Sequence, residues 1–202
     1  IANACTGQEG YGYCQATAEA AGKALDVPAE SVLVASTGVI GQQLPMPVLE
    51  EGVKNLVPLL LGTREAAALA AEAIMTTDTV RKEAAVEIEI SGKKVTIGGM
   101  CKGSGMIHPN MCTMLSFVTT DVQIDKALLK EALKESVQDS YNMISVDGDT
   151  STNDTVLLLA NGMADNPVIK EKDPDYELFK EALDYINKTL AQKIAGDGEG
   201  AT

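Results

Sequence analysis

Apolar positions recur at helical spacing over residues 15–25, where Ala18, Ala21 and Leu25 share a face, and Pro28 predicts the break that follows. Ser31-Val-Leu-Val-Ala-Ser36 is a short apolar run that predicts a strand feeding into Thr37-Gly38. Residues 48–61 and 64–75 predict two further helices. Pro58 should kink or shorten the first, and alanine gives the second high intrinsic propensity. The period then changes. Ala84-Ala-Val-Glu-Ile-Glu-Ile90 alternates, Ser91-Gly92 turns the chain, and Lys93-Lys-Val-Thr-Ile97 returns: a β-hairpin with one wet face. Across it, Glu87 and Glu89 should face Lys93 or Lys94 as a solvated ladder. Gly98-Gly99 and Gly103-x-Gly105 offer backbone conformations that other residues avoid. Beyond residue 113 a strand through Thr119 is expected. A helix follows with Asp125 as N-cap and Leu128, Leu129, Leu133 and Val137 near one face. Residues 147–154 read as a polar loop, 155–160 as a strand, and 174–194 as a last helix with Leu178, Leu183, Ile186 and Leu190 inward. Strands and helices mix without strict βαβ order and without internal repeats, so the fold class is α+β, with helices covering sheets.

At 202 residues and 45% hydrophobic content, the chain can bury a core sufficient for one large domain or one and a half small ones. Twenty-nine acidic against 16 basic residues give a formal charge of −13. Such a chain repels phosphate backbones, which excludes nucleic-acid binding through a basic surface. The longest apolar run, around residues 56–61, is far short of the roughly twenty residues that a bilayer requires, so no membrane partner is expected. No basic, apolar, small-residue leader pattern opens the chain. A start at Ile1 without methionine and an end inside a motif lead us to expect a fragment lacking both ends. Four cysteines (Cys5, Cys14, Cys101, Cys112) and the single His108 form no C-x-x-C pair and no zinc set, and are expected as free thiols in a reducing compartment.

The chemistry concentrates in Lys102-Gly-Ser-Gly-Met-Ile-His-Pro-Asn-Met-Cys-Thr113. A threonine hydroxyl is a poor nucleophile while its own nitrogen is tied in a peptide bond. Cleavage between Cys112 and Thr113 would free an α-amine within reach of Oγ1, giving the threonine its general base. Pro109 biases His108 away from helical geometry, which suits a turn ahead of a scissile bond. The alternative is a threonine that simply opens a β-strand. Lys102, eleven residues upstream on the glycine-rich run, can bind a carboxylate or support developing negative charge. Its surroundings fail the P-loop spacing. Asp147-Gly-Asp-Thr-Ser-Thr-Asn-Asp154 starts like a calcium loop, but Thr152 stands where glycine is required and Leu158 where the bidentate glutamate belongs. That loop should instead knit a turn beside a cleft, with Thr152 and Asn153 supporting it. No metal is called for. His108 is not needed as a base, because the amine of Thr113 would supply one.

The Lys102–Thr113 segment resembles the self-cleavage site of the glutamate N-acetyltransferase/ornithine acetyltransferase family of arginine biosynthesis. Five further blocks match in order: Asn3-Ala-Cys-Thr-Gly7, Ala35-Ser-Thr-Gly-Val-Ile-Gly41, Met75-Thr-Thr-Asp-Thr79, the 147–154 loop, and Asp197-Gly-Glu-Gly-Ala-Thr202. The resemblance implies an α/β/β/α sandwich of stacked sheets covered by helices. It implies that residues 1–112 form an α-chain-like segment and 113–202 a β-chain-like segment, together one truncated catalytic domain. Thr113 would be the nucleophile after cleavage at Cys112–Thr113, where the family usually carries alanine before the cut. Thr37 and Gly38 would form the oxyanion hole, in which one donor is typically worth about 3–4 kcal/mol. Thr76, Lys102, Thr113 and Glu199 would hold substrate, with Thr77 a near alternative to Thr76. The implied reaction moves acetyl from N-acetylornithine to glutamate without metal or dissociable cofactor, and bifunctional members also take acetyl from acetyl-CoA. A cytoplasmic heterotetramer of two α and two β chains is implied. Two alternatives remain open at this point: an N-terminal-nucleophile aminopeptidase or amidase of the same architecture, and a folded module without catalysis.

Overall fold

In the computed structural model of the chain, which describes residues 1–105, 114–146 and 148–198, the polypeptide divides into two compact units, Ile1–Ala70 and Ala71–Thr202. The first unit is built from α1 (Gly7–Leu25), α2 (Met46–Leu56) and most of α3 (Arg64–Ala73), with α1 packed on α2. Helix α1 stops where Asp26 adopts a left-handed conformation (φ 56°) and the Val27 N–H bonds the Gly22 carbonyl, just ahead of Pro28. It starts eight residues earlier than its apolar pattern indicates. Glycine weakens that signal at Gly7, Gly10 and Gly12, yet Gly10 lets α1 lie against the chain's first residues. A Cβ there would fall 3.0 Å from Asn3 Oδ1 and from the Cys5 carbonyl carbon. Pro58 acts as expected: α2 ends at Leu56 and passes into a single 3-10 turn over Val57–Leu59.

The strand expected over residues 31–36 does not form. Ala29–Ser31 is a 3-10 turn, and the extended backbone after it is tied by isolated bonds to the chain's start, Asn3 N to Ser36 Oγ (3.0 Å) and Ala2 N to the Val39 carbonyl (2.7 Å). An apolar run needs a neighbouring ladder to become a strand, and among the described residues this unit supplies none.

Among the described residues the second unit holds one four-stranded sheet in the order β1 (Lys82–Ile90), β2 (Lys93–Lys102), β3 (Leu115–Thr120), β4 (Thr155–Ala160). The first three strands pair antiparallel; β4 joins β3 in parallel. The hairpin register is the expected one, Ile90 opposite Lys93, turned by Ser91 and Gly92, both at positive φ (48° and 75°). Lys94 reaches Glu87 at 2.8 Å on the wet face. Helices α4 (Lys126–Gln138) and α5 (Pro174–Gly196) supply the cover, α4 packing on α5 and α5 on β1 and β2. Asp125 caps α4 by accepting from Ala127 N at 2.8 Å, and Asp173 caps α5 through Tyr176 N at 2.9 Å.

The core joins Ile90, Val95, Ile97, Cys101 and Val118 to Phe179, Leu183, Ile186, Leu190 and Ile194. Leu178, expected inward, is 37% exposed; the buried stripe of α5 runs through Tyr176, Phe179 and Leu183 instead. Of Gly98 and Gly99, it is Gly99 that serves a close contact. Both lie within β2, and a Cβ on Gly99 would come within 2.9 Å of Leu190 Cδ1. Between sheet and helices a buried polar chain is fully engaged: Ser116 Oγ with Tyr141 Oη (2.8 Å), Tyr141 Oη to Asn187 Oδ1 (3.2 Å), and Asn187 Nδ2 to Ser136 Oγ (2.8 Å). The described cysteines Cys5, Cys14 and Cys101 are free thiols, and burial pushes the Cys101 thiol up to about 12.

Candidate active site

The alternation that buries Val86, Ile88 and Ile90 toward the helices continues back to Lys82, which places a lysine on the inner face at the start of β1, with no exposed surface. A buried ammonium needs anionic partners. Lys82 Nζ has two, Asp78 Oδ1 at 2.7 Å and Asp197 Oδ2 at 2.5 Å. Asp78 comes from the connection between α3 and β1, and Asp197 caps the C-terminal end of α5.

Asp78 is the hub. Its Oδ1 also accepts from Gly103 N (2.7 Å), and its Oδ2 accepts from Thr76 N (3.1 Å). Gly103 takes φ 154° directly after β2, a conformation that favours glycine, and so turns its N–H back to the carboxylate. The Lys102 ammonium lies 3.7 Å from Asp78 Oδ2, in ion-pair range but beyond a hydrogen bond, and donates to Thr76 Oγ1 at 2.7 Å. Beside this pair, Thr77 Oγ1 and Ser104 Oγ are 2.5 Å apart. Burial pushes the Asp78 carboxyl up, but the bonds from Gly103, Lys82 and Thr76 and the charge of Lys102 outweigh it and hold it below its ordinary value. Asp197 is likewise raised by burial and lowered further by Lys82 and Thr79, reaching about 2. Thr79 binds it twice, through its N–H (2.9 Å) and its hydroxyl. Two lysines and two aspartates thus form a neutral cluster.

A second feature lies at the same end of the sheet, where Leu115, the first residue of β3, pairs with Lys102. The Met114 N–H donates to Asp154 Oδ1 (2.8 Å), and Met114's carbonyl accepts from Thr155 N (3.1 Å), so the residue following position 113 is held on both sides by the head of β4. Asp154 Oδ2 is buried without a hydrogen-bond partner among the described residues. Burial pushes this carboxyl up to about 7 against the opposing pull of the Met114 bond. The adjoining turn is knit as expected, Thr152 Oγ1 to Asn153 Oδ1 (3.0 Å) and Asn153 N to Ser151 Oγ (3.1 Å).

In the first unit, the Ser36-Thr37-Gly38 bend is fastened by the bonds to Ala2 and Asn3 described above. Gly38 takes φ 138°, and the half-buried Thr37 keeps its Oγ1 away from solvent with no partner among the described residues. Of the expected site residues, the structure brings Thr76 and Lys102 into direct contact and places Thr37 beside Gly38. Thr113, Cys112, His108 and Glu199 lie outside the described residues. Asp78, Lys82, Asp197 and Asp154 were not singled out from sequence. Asp78, Asp154 and Asp197 sit inside matched blocks, and Lys82 carries the inward parity of its strand.

Two buried lysines paired with carboxylates beside a glycine turn stand at one end of the sheet of an α+β unit. Comparison with known proteins is specific. The whole chain, residues 1–202, matches the ArgJ family. It is 56% identical over 201 residues to arginine biosynthesis bifunctional protein ArgJ 1 of Clostridium acetobutylicum, covering 100% of this chain and 49% of that protein. It is 53% identical over 202 residues to arginine biosynthesis bifunctional protein ArgJ of Thermotoga neapolitana, covering 100% and 50%. Among solved structures, arginine biosynthesis bifunctional protein argJ from Bacillus halodurans superposes with a TM-score of 0.50 at 45% identity, covering 55% of this chain and 56% of that one. The chain belongs to the ArgJ family. It spans about half the length of the curated relatives it matches.

Proposed function

We propose that the full-length protein is an acetyltransferase of arginine biosynthesis that moves acetyl from N-acetylornithine to glutamate through an acyl-enzyme on Thr113. The observation that carries this reading is the Thr76–Lys102 pair, bonded at 2.7 Å and backed by Asp78, in a chain of this family. Thr76 occupies one ammonium proton, leaving Lys102 with further donors for a substrate carboxylate.

In the proposed sequence Thr113 Oγ1 attacks the Cys112 carbonyl, the peptide nitrogen takes the hydroxyl proton as it leaves, and water hydrolyses the resulting ester. Thr113 is then a chain terminus whose amine serves as base. In turnover that amine accepts the Oγ1 proton while Oγ1 attacks the acetyl carbonyl. The proton passes to the departing ornithine amine, and the glutamate amine attacks the acetyl-threonine to restore the hydroxyl. Thr37 Oγ1 and Gly38 N–H stabilise the tetrahedral oxyanion, a role supported by the unpartnered Thr37 hydroxyl on its fastened bend. Thr113 itself contacts substrate, and Glu199 binds the substrate's ammonium. Acetyl-CoA is a second acetyl donor, as in bifunctional members. Residues 1–112 belong to the α chain and 113–202 to the β chain of a cytoplasmic heterotetramer. A second sheet completes the α/β/β/α layering against the face where Met100, Phe117 and Leu157 stand in one cross-strand row beside exposed Leu159.

The test is a mass spectrum of the full-length protein together with acetyl transfer from N-acetylornithine with and without glutamate. Two pieces split at 112/113, abolished by Thr113→Ala, and ornithine release that requires glutamate are expected. Release independent of glutamate would instead identify an amidase and overturn the proposal.

A further inference from the structure

We propose that Lys82 is a positioning residue for substrate binding: by engaging Asp78 itself, it keeps the Lys102 ammonium available to the carboxylate of an amino-acid substrate. This rests on the substrate role proposed for Lys102. The distances state the competition directly. Asp78 makes its short contacts with Lys82 (2.7 Å) and the Gly103 N–H (2.7 Å), while Lys102 stands off at 3.7 Å. Among the described residues the cluster counts two cations and two anions, so it presents no surplus negative charge of its own to a ligand carboxylate arriving at Lys102. Without Lys82, Asp78 and Asp197 together outnumber the remaining lysine. Among the described residues Lys102 is the other lysine in ion-pair range of Asp78, and closing about 1 Å would turn the stand-off into a hydrogen-bonded ion pair. The ammonium would then be neutralised by the protein instead of by substrate. Asp197 extends the arrangement to the end of α5, two residues before Glu199, so that one buried ammonium ties three chain segments together.

The experiment compares Lys82→Met with Lys82→Met/Asp78→Asn in the full-length protein, by steady-state acetyl transfer and by calorimetric binding of N-acetylornithine. Lys82→Met should raise KM and Kd about tenfold while kcat stays within about twofold. Adding Asp78→Asn should recover most of the lost affinity, because the competing charge is gone and the amide oxygen still accepts from Gly103 or Thr76. A merely structural role predicts the reverse, a double variant worse than the single one. Where Lys82→Met does not fold, Lys82→Gln, which keeps a donor for Asp78, is compared in the same pair. Binding of N-acetylornithine by Lys82→Met with the wild-type affinity overturns the role of Lys82 alone. Wild-type protein that neither binds nor turns it over overturns the substrate reading as well.

Discussion

Replacing Asp154 by asparagine should make the protein more stable, and increasingly so as pH rises. The carboxyl carries one oxygen bonded to Met114 N at 2.8 Å and one buried oxygen without a partner among the described residues. Burial lifts it from 3.8 to about 7. A carboxyl raised in the native state keeps its proton between those values while the unfolded chain has released it, so stability is greatest below about pH 4 and falls as pH rises toward 7. Carried across the whole interval, linkage gives on the order of 4 kcal/mol. Partial solvent access brings the expected change between pH 5 and 7.5 down to about 1–2 kcal/mol. Asparagine retains a carbonyl for the Met114 N–H and does not titrate. Urea unfolding followed by circular dichroism at the two pH values reads the gap between variant and wild type directly. A gap that is constant, or that narrows as pH rises, would refute the assignment of a buried, proton-holding carboxyl at this position.

The mirror case is Asp197, held at about 2: its contribution is fully present above about pH 4 and is lost as pH falls toward 2, so wild type should lose about 1–2 kcal/mol relative to Asp197→Asn over that range. Acid titration of both proteins by circular dichroism measures it; parallel curves would reject the ion pair with Lys82. Gly22→Ala should lower the melting temperature even though alanine favours helix by about 1 kcal/mol. Its Cβ would meet the Val27 carbonyl oxygen at 2.8 Å, a backbone atom of the turn that ends α1, and such overpacking costs about 1–3 kcal/mol. A raised melting temperature would show that the turn yields.

Much of the second unit is legible along the chain because its signals are local. The alternation over 84–90, the Ser91-Gly92 turn and the Asp125 cap each depend on residues two to four apart, and the β1–β2 register and the capped start of α4 follow. The matched blocks also named Thr76 and Lys102 before their contact was visible. What the sequence could not contain is which distant groups meet. Lys82 reads as an ordinary strand-opening lysine until the end of α5, 115 residues further on, brings Asp197 to it. The apolar run at 31–36 reads as a strand because the pattern cannot report that no ladder lies beside it. The early start of α1 depends on the chain's first residues folding onto Gly10. Periodicity fixes which face of an element is buried; only packing decides what that face is buried against, and a buried charge takes its meaning from its partner.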